Sequence, residues 1–305
     1  MSILLKSEWL CARKSVIDAP FHAPAWKEDS EEVSGGSEKE NIMDRKHALV
    51  TGASHGIGRA IAVALARNGY DVAVNYCSSE AAALQTCDLI RQAGGRALPL
   101  KADVGSCDQL IRMFEEYDKI FGTLDFMMNN AGVSEFHPLL EVTEQQWDRV
   151  MRIDWKGVYF GTQQAALRMK DRGGCIMNMS SNHVDGCFPD ASIYASAKAA
   201  VAKFTENAAM ELAPYHIRVL ALAPGYTKVW SDDNPINQAA ARIPLKRFAT
   251  PEEIAEIVVF LASGKCSYMT GNRITIDGGA LLPVVPENAM EAGALLPLKV
   301  HESSR

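Results

Sequence analysis

The sequence lacks a long apolar run, paired cysteines and a basic cluster, and each absence removes a class of protein. No apolar stretch approaches the roughly 18 residues that a membrane-spanning helix needs, so no membrane partner is expected. The seven cysteines, Cys11, Cys77, Cys87, Cys107, Cys175, Cys187 and Cys266, are odd in number, scattered, and form no C-x-x-C pair. That usage excludes a zinc finger or disulfide scaffold, implies no metal site, and fits reduced thiols in the cytoplasm. Lysine and arginine total 31 against 37 acids, a net charge of -6 with no basic cluster, so no nucleic-acid partner is expected. What is present is ordinary: 305 residues, 48% hydrophobic and 22% charged, enough for one large domain or two small ones.

Residues 1–43 stand apart. They contain "KEDSEEVSGGSEKEN", polar, charged and aperiodic, and are expected to be disordered. The opening "MSILLKSEWLCARKS" has too short an apolar stretch for a signal peptide, and the acids after it argue against a transit peptide. Met43, heading "MDRKHALVTGAS", is an alternative start.

From residue 46, short apolar runs alternate with helical patterns. "HALVTG", "DVAVNY", "RALPLKADV", "TLDFMMNNAG", "GGCIMNMSS" and "HIRVLALAPG" read as strands. Between them lie "GIGRAIAVALARNG", "SEAAALQTCDLIRQAGG" with a Ser N-cap, "CDQLIRMFEEYDKIFG", and two long helices over 144–171 and 192–213, the latter closed by Pro214. Such alternation predicts an α/β fold, a doubly wound parallel sheet of about seven strands with helices on both faces. No linker interrupts it, so one domain is expected over 44–282, followed by a tail over 283–305.

"TGASHGIG" (51–58) joins the first strand to the first helix. Glycines here permit positive φ and close approach of a phosphate, and the helix start offers free N–H groups. Gly52, Gly56 and Gly58, with Ser54, His55 and Ile57 between them, are therefore candidate cofactor contacts. Further along, "SIYASAKAA" (192–200) sets Tyr194 and Lys198 one helical turn apart on one face. Alone that pair is weak, since some Tyr-x-x-x-Lys occurs by chance in about a third of such chains, lysine being so common.

The whole series resembles the short-chain dehydrogenase/reductase family over residues 46–280: the glycine turn, Asp103-Val104, "NNAG" (129–132), Ser181, Tyr194 with Lys198, Pro224-Gly225, and "DGG" (277–279). The resemblance implies a Rossmann-like fold and NAD(P)-dependent interconversion of a secondary alcohol and a carbonyl. It implies Ser181, Tyr194 and Lys198 as the catalytic group, with Asp103 on the adenine, Asn130, Ala131 and Gly132 bordering the ribose, and Pro224, Gly225 and Thr227 near the nicotinamide. The family also implies a homo-oligomer, tetramer or dimer, built through the two long helices. The chemistry suits the residues. A free tyrosine with pKa near 10 is a poor base at neutral pH, and about 4 kcal/mol brings it near 7. An ammonium about 4 Å away supplies a comparable amount at an effective dielectric near 20.

Three positions depart from the family pattern. Asp154 stands where the family usually has an asparagine holding a water in a proton relay, so it is either a rewired catalytic group or a support for a helix bend. At the end of the second strand Tyr76 replaces the acid of NAD-preferring members, and Cys77 replaces the arginine of many NADP-preferring ones. Asn75, Ser78, Ser79 and His55 are then candidate ligands of a 2′-phosphate, which favours NADP over NAD. The family's threonine after Pro-Gly falls at Val229, so either Thr227 takes the carboxamide contact or the loop 226–247 is displaced.

"NMSSNHVDG" is similar to bacterial glucose 1-dehydrogenases, notably in His183. Glu135, Asn182, His183, Asp185 and Asp190, with Phe188, Tyr226 and Trp230 as walls, suit a polyhydroxylated small molecule, so a sugar or polyol is the leading expectation. The alternatives are a 3-oxoacyl-acyl-carrier-protein reductase or general ketone reductase, and, from another class, a dinucleotide-binding regulatory protein without catalysis.

Overall fold

The computed structural model describes residues 45–282; the expectations for 1–43 and 283–305 lie outside the described residues. Seven strands, β1 (Lys46–Val50), β2 (Tyr70–Tyr76), β3 (Ala97–Lys101), β4 (Phe126–Asn129), β5 (Gly174–Met179), β6 (Ile217–Pro224) and β7 (Arg273–Ile276), pair in the order β3-β2-β1-β4-β5-β6-β7. Every pairing is parallel. The order reverses between β1 and β4, and in open sheets of this kind ligands bind in the crevice beyond the strand C-termini there.

Both faces of the sheet are covered, which is why the strands read as continuous apolar runs rather than alternating ones. Helices α1 (Gly56–Arg67), α2 (Glu80–Gln92) and α6 (Pro251–Ala262) pack on one face through Ile61, Leu65, Ile90, Ile254 and Val258. On the other face lie α3 (Cys107–Ile120), α4 (Glu144–Met169) and α5 (Ser192–Leu212), meeting the sheet through Leu110, Phe114, Tyr117, Met169 and Ala208. Capping boxes start α4 (Thr143 with Gln146) and α6 (Thr250 with Glu253, Pro251 following). Ser79 holds the N-cap position of α2 as expected, but its φ of -93° and ψ of 70° do not aim the hydroxyl, and it makes no capping bond.

The long helix expected over 144–171 is interrupted. Its residues Met151–Lys156 form a π-helical turn between α-helical Glu144–Val150 and Gly157–Met169. The wider turn carries Asp154 fully out of solvent. Gly157 and Gly161 let the following segment lie on the strand ends: a Cβ on Gly157 would stand 3.0 Å from Val104, and one on Gly161 would collide with Asn129. Beneath the crevice, Asn129 donates to Thr162 (3.1 Å) and to Asn178 (2.9 Å), and Asn178 donates to Thr205 (3.0 Å). This buried polar chain ties β4 and β5 to α4 and α5, with each amide satisfied by a named partner. Helix α5 ends at Leu212, and a short 3-10 turn with Pro214 leads to His216 at φ 56°.

Candidate active site

The glycine turn is bolted to the segment after β4. The Thr51 hydroxyl accepts from the N–H groups of Asn130 (2.9 Å) and Ala131 (3.0 Å), and the Asn130 amide donates to the Thr51 carbonyl (2.9 Å). Gly52 (φ 61°) and Gly56 (φ 57°) are left-handed, and a Cβ on Gly52 would come within 2.9 Å of the Ala131 backbone. His55, the N-cap of α1, makes no capping bond, so the N–H groups of Gly56, Ile57 and Gly58 remain available beside the cleft. That cleft has a volume of about 560 Å³ and reaches along the strand ends from Ser79 and Asp103 to Gly132. Gly52, Ser54, His55, Asn75, Tyr76, Val104, Asn130 and Ala131 line it as well, so most of the expected cofactor residues converge.

Within this group several side chains do something other than expected. Asn75 is buried; its Oδ1 accepts from Gly52 N–H (3.2 Å) and its Nδ2 donates to the carbonyls of Leu100 (3.2 Å) and Ala102 (3.1 Å). It therefore shapes the turn and is not free to bind a 2′-phosphate. Tyr76 is also buried, and its hydroxyl is held above its ordinary pKa by burial and then by the neighbouring Glu80 carboxylate. Cys77, Ser78 and Ser79 line the same end, and none of the residues from Tyr76 to Ser79 is acidic. Asp103 accepts from Gly105 N–H (2.9 Å) and pairs with Arg152. Arg152 and Arg149, three apart on α4, both line the cleft and were not among the expected residues. Their i, i+3 spacing on one helix face was the available signal.

At the other end stand the residues expected to handle the proton. Tyr194 and Lys198 share the first turns of α5, with the Lys198 ammonium 5.5 Å from the centre of the Tyr194 ring. Lys198 is 2% exposed and Asp154 0%, and the ammonium lies 2.9 Å from Asp154 Oδ2. Lys198 also donates to the Met179 carbonyl (3.1 Å), and Asp154 Oδ1 accepts from Val133 N–H (2.7 Å). Burial alone would lower the lysine pKa, but the Asp154 carboxylate and Tyr194 together outweigh it, and the net shift is upward. The Asp154–Lys198 contact lacks the alignment of a straight hydrogen bond, so Oδ2 keeps an open position. Gly132 has to stay bare, because a Cβ there would reach 2.9 Å from that oxygen.

Ser181 lies two residues beyond β5 and caps a short 3-10 turn, Asn182–Val184. His183 touches it and stacks on Phe188 (ring centres 3.8 Å apart) and on Phe136 (5.8 Å), with Tyr194 edge-on at 5.2 Å. Two of the three carboxylates expected to meet sugar hydroxyls are engaged elsewhere. Glu135 pairs with Arg149 (2.7 Å), Asp185 takes Arg273 on both oxygens (2.7 Å each), and Asp190 sits at φ 60° with its carbonyl accepting from His137 N–H. What borders Tyr194 is a wall of rings. Thr227 is 6% exposed and its hydroxyl donates to the Gly225 carbonyl, so the residue braces the Pro224-Gly225 bend. Val229 instead stands over the cleft mouth, 3.4 Å from where a Gly56 Cβ would be. Tyr226 and Trp230 pack on Phe248.

Comparison with known proteins places these features in company. The family described as enoyl-(acyl carrier protein) reductase matches residues 52–280. The chain is 40% identical over 242 residues to the 3-oxoacyl-[acyl-carrier-protein] reductase FabG of Staphylococcus epidermidis, covering 77% of this chain and 98% of that protein. Among solved structures it resembles the angucycline C-6 ketoreductase LanV with bound NADP (36% identity, TM-score 0.74, covering 78% and 96%). It also resembles the acetoin dehydrogenase YohF of Salmonella typhimurium (32% identity, TM-score 0.74, covering 79% and 98%).

Two outcomes are expected from this geometry. Asp154→Ala leaves the Lys198 ammonium buried without its partner and should cost about 3–5 kcal/mol, whereas Asp154→Asn keeps an acceptor for Val133 N–H and should cost clearly less. Urea denaturation midpoints check the difference, and equal losses would mean that the missing charge, which neither variant restores, carries the whole cost and the acceptor for Val133 none of it. The second concerns His183, whose pKa burial lowers to about 4. An unfolded histidine titrates near 6.5, so between those values the unfolded chain binds more protons and stability falls as pH falls. The melting temperature of wild type relative to that of His183→Phe should therefore fall as pH drops from about 6.5 to about 4.

Proposed function

The chain belongs to the short-chain dehydrogenase/reductase family and is an NAD(P)-dependent oxidoreductase working between CH–OH and carbonyl groups; on that premise we propose that it reduces a small-molecule ketone with NADPH. One observation carries the substrate reading: two of the three carboxylates that a sugar or polyol would use, Glu135 and Asp185, are held in ion pairs, while Phe136, His183 and Phe188 wall the approach to Tyr194. Similarity to the staphylococcal enzyme supports 3-oxoacyl groups as the class to try first. The lack of an acidic side chain among Tyr76, Cys77, Ser78 and Ser79 supports NADPH, because a carboxylate there would repel a 2′-phosphate. His55, Ser78 and Ser79 are the proposed ligands for that phosphate.

The residues present fit a dinucleotide. The bare turn Gly56–Gly58 and the start of α1 would hold the pyrophosphate, Asp103 with Val104 the adenine, and Asn130, Ala131 and Gly132 the adjoining ribose. Lys198 would bind the second ribose, and Pro224 with Gly225 would border the nicotinamide. The dinucleotide, when bound, supplies the hydride that adds to the carbonyl carbon. Ser181 donates a hydrogen bond to the carbonyl oxygen and fixes its place. Tyr194 gives its hydroxyl proton to that oxygen as the alcohol forms, and the nearby Lys198 ammonium favours the phenolate left behind. Asp154 holds the ammonium in position and, being negative, offsets part of that help.

We also propose a homo-oligomer. An apolar groove of about 260 Å³ between α4 and α5 is lined by Tyr159, Ala166, Leu167, Phe204 and Leu212, and Tyr159 and Leu167 are half-exposed. Helix faces of this composition suit a second copy of the chain.

Fluorescence titration should give tighter binding of NADPH than of NADH. Tyr194→Phe should keep the NADPH dissociation constant within about threefold while turnover of a 3-oxo ester falls by about 10²–10⁴; retained turnover would remove Tyr194 from the chemistry. Light scattering should give a mass of at least two chains, and a monomer would refute the interface.

A further inference from the structure

Ser181 has to present its hydroxyl proton to the substrate oxygen, and the structure shows what keeps that proton available. A serine hydroxyl has one proton to give and two lone pairs to receive with. The backbone N–H of His183 reaches Ser181 Oγ at 3.3 Å and occupies one lone pair. The His183 ring nitrogen Nδ1 lies 3.1 Å from the same oxygen and 3.3 Å from Asn182 Oδ1. An amide oxygen can only accept, so the nitrogen facing it carries the proton. That one Nδ1–H is shared between Asn182 Oδ1 and the nearer Ser181 Oγ, where it takes the second lone pair and leaves the serine proton pointing outward.

We propose that His183 is a positioning residue: held flat by Phe188 and Phe136, its Nδ1–H orients Ser181 as a dedicated donor to the substrate oxygen. This rests on the ketone-reductase reading above. The ring is in no position to turn away. It lies nearly parallel to Phe188 (20°, centres 3.8 Å) and to Phe136 (28°, 5.8 Å), and Tyr194 meets it edge-on at 88°. The opposite tautomer would accept the serine proton at Nδ1 and withdraw it from the substrate. The ring stays neutral above about pH 5, since burial lowers its pKa to about 4.

Two measurements test the proposal in the full-length protein. The first is ¹⁵N NMR of histidine-labelled protein at pH 7, with the His183 signal assigned by its loss in His183→Asn. A proton on Nδ1 is expected, and a proton on Nε2 overturns the proposal whatever the substrate proves to be. The second compares three forms in reduction of ethyl acetoacetate by NADPH. His183→Phe keeps the ring stack without the N–H and should lower kcat about 10- to 100-fold, with NADPH affinity by fluorescence titration within twofold. His183→Asn places an amide N–H close to the Nδ1 position and should recover at least a third of the lost factor on a logarithmic scale. Equal kcat for His183→Phe and wild type, or no recovery in His183→Asn, overturns it. If the wild type binds NADPH but reduces no 3-oxo ester, the ketone reading fails, and the tautomer still decides the proposal about Ser181.

Discussion

The contact on which the site depends is the buried pair between Lys198 and Asp154. Neither residue is solvated, and each also holds backbone: Lys198 donates to Met179 at the end of β5, and Asp154 accepts from Val133 after β4. Ser180 adds a bond to the Lys198 carbonyl. One ion pair thus joins α5, the π turn of α4, and the ends of two central strands. Such pairs are poor sources of net stability, because removing two charges from water costs several kcal/mol per ion. Their strength is in geometry. Once both charges are buried, no other arrangement of these four elements satisfies them, and Tyr194 one turn away inherits the placement.

An asparagine in place of Asp154, the residue the family usually carries, would leave Lys198 with a full positive charge and a dipole for company. The carboxylate changes the field that Tyr194 experiences. It also accounts for the exclusion of a side chain from Gly132, whose missing Cβ makes room for Oδ2 and for Nζ.

Much of the fold could be read from residues alone because strand and helix boundaries are marked locally, by Gly69, Gly94 and Gly122 at positive φ and by Thr143 and Thr250 at N-caps. The turn 51–58 and the pair Tyr194–Lys198 were legible for the same reason: their spacing is itself the geometry. What could not be read was partnership across the chain. Asn75 looked like a phosphate ligand because it sits at the end of β2, yet the carbonyls it serves belong to Leu100 and Ala102, on the neighbouring strand and just beyond it. Glu135 and Asp185 looked free because Arg149 and Arg273 are 14 and 88 positions away. The π turn could not be read from the 3.6-residue pattern, since it spans only the six residues Met151–Lys156, too few to establish a period of their own.

These pairings bear on what the site can select. Charge around it is largely matched inside the chain: Lys198 by Asp154, Arg152 by Asp103, Arg149 by Glu135, Arg273 by Asp185. A sugar hydroxyl seeking Glu135 or Asp185 would have to displace a guanidinium, exchanging a charge-assisted bond for a neutral one of roughly half the strength. A ketone needs a donor at one oxygen and apolar contact elsewhere, and Ser181, Tyr194 and the rings of Phe136, His183 and Phe188 offer both without breaking anything. Selectivity of this kind comes less from groups waiting for the substrate than from groups already occupied, leaving one oxygen-binding corner in an apolar wall as the vacancy a substrate can fill.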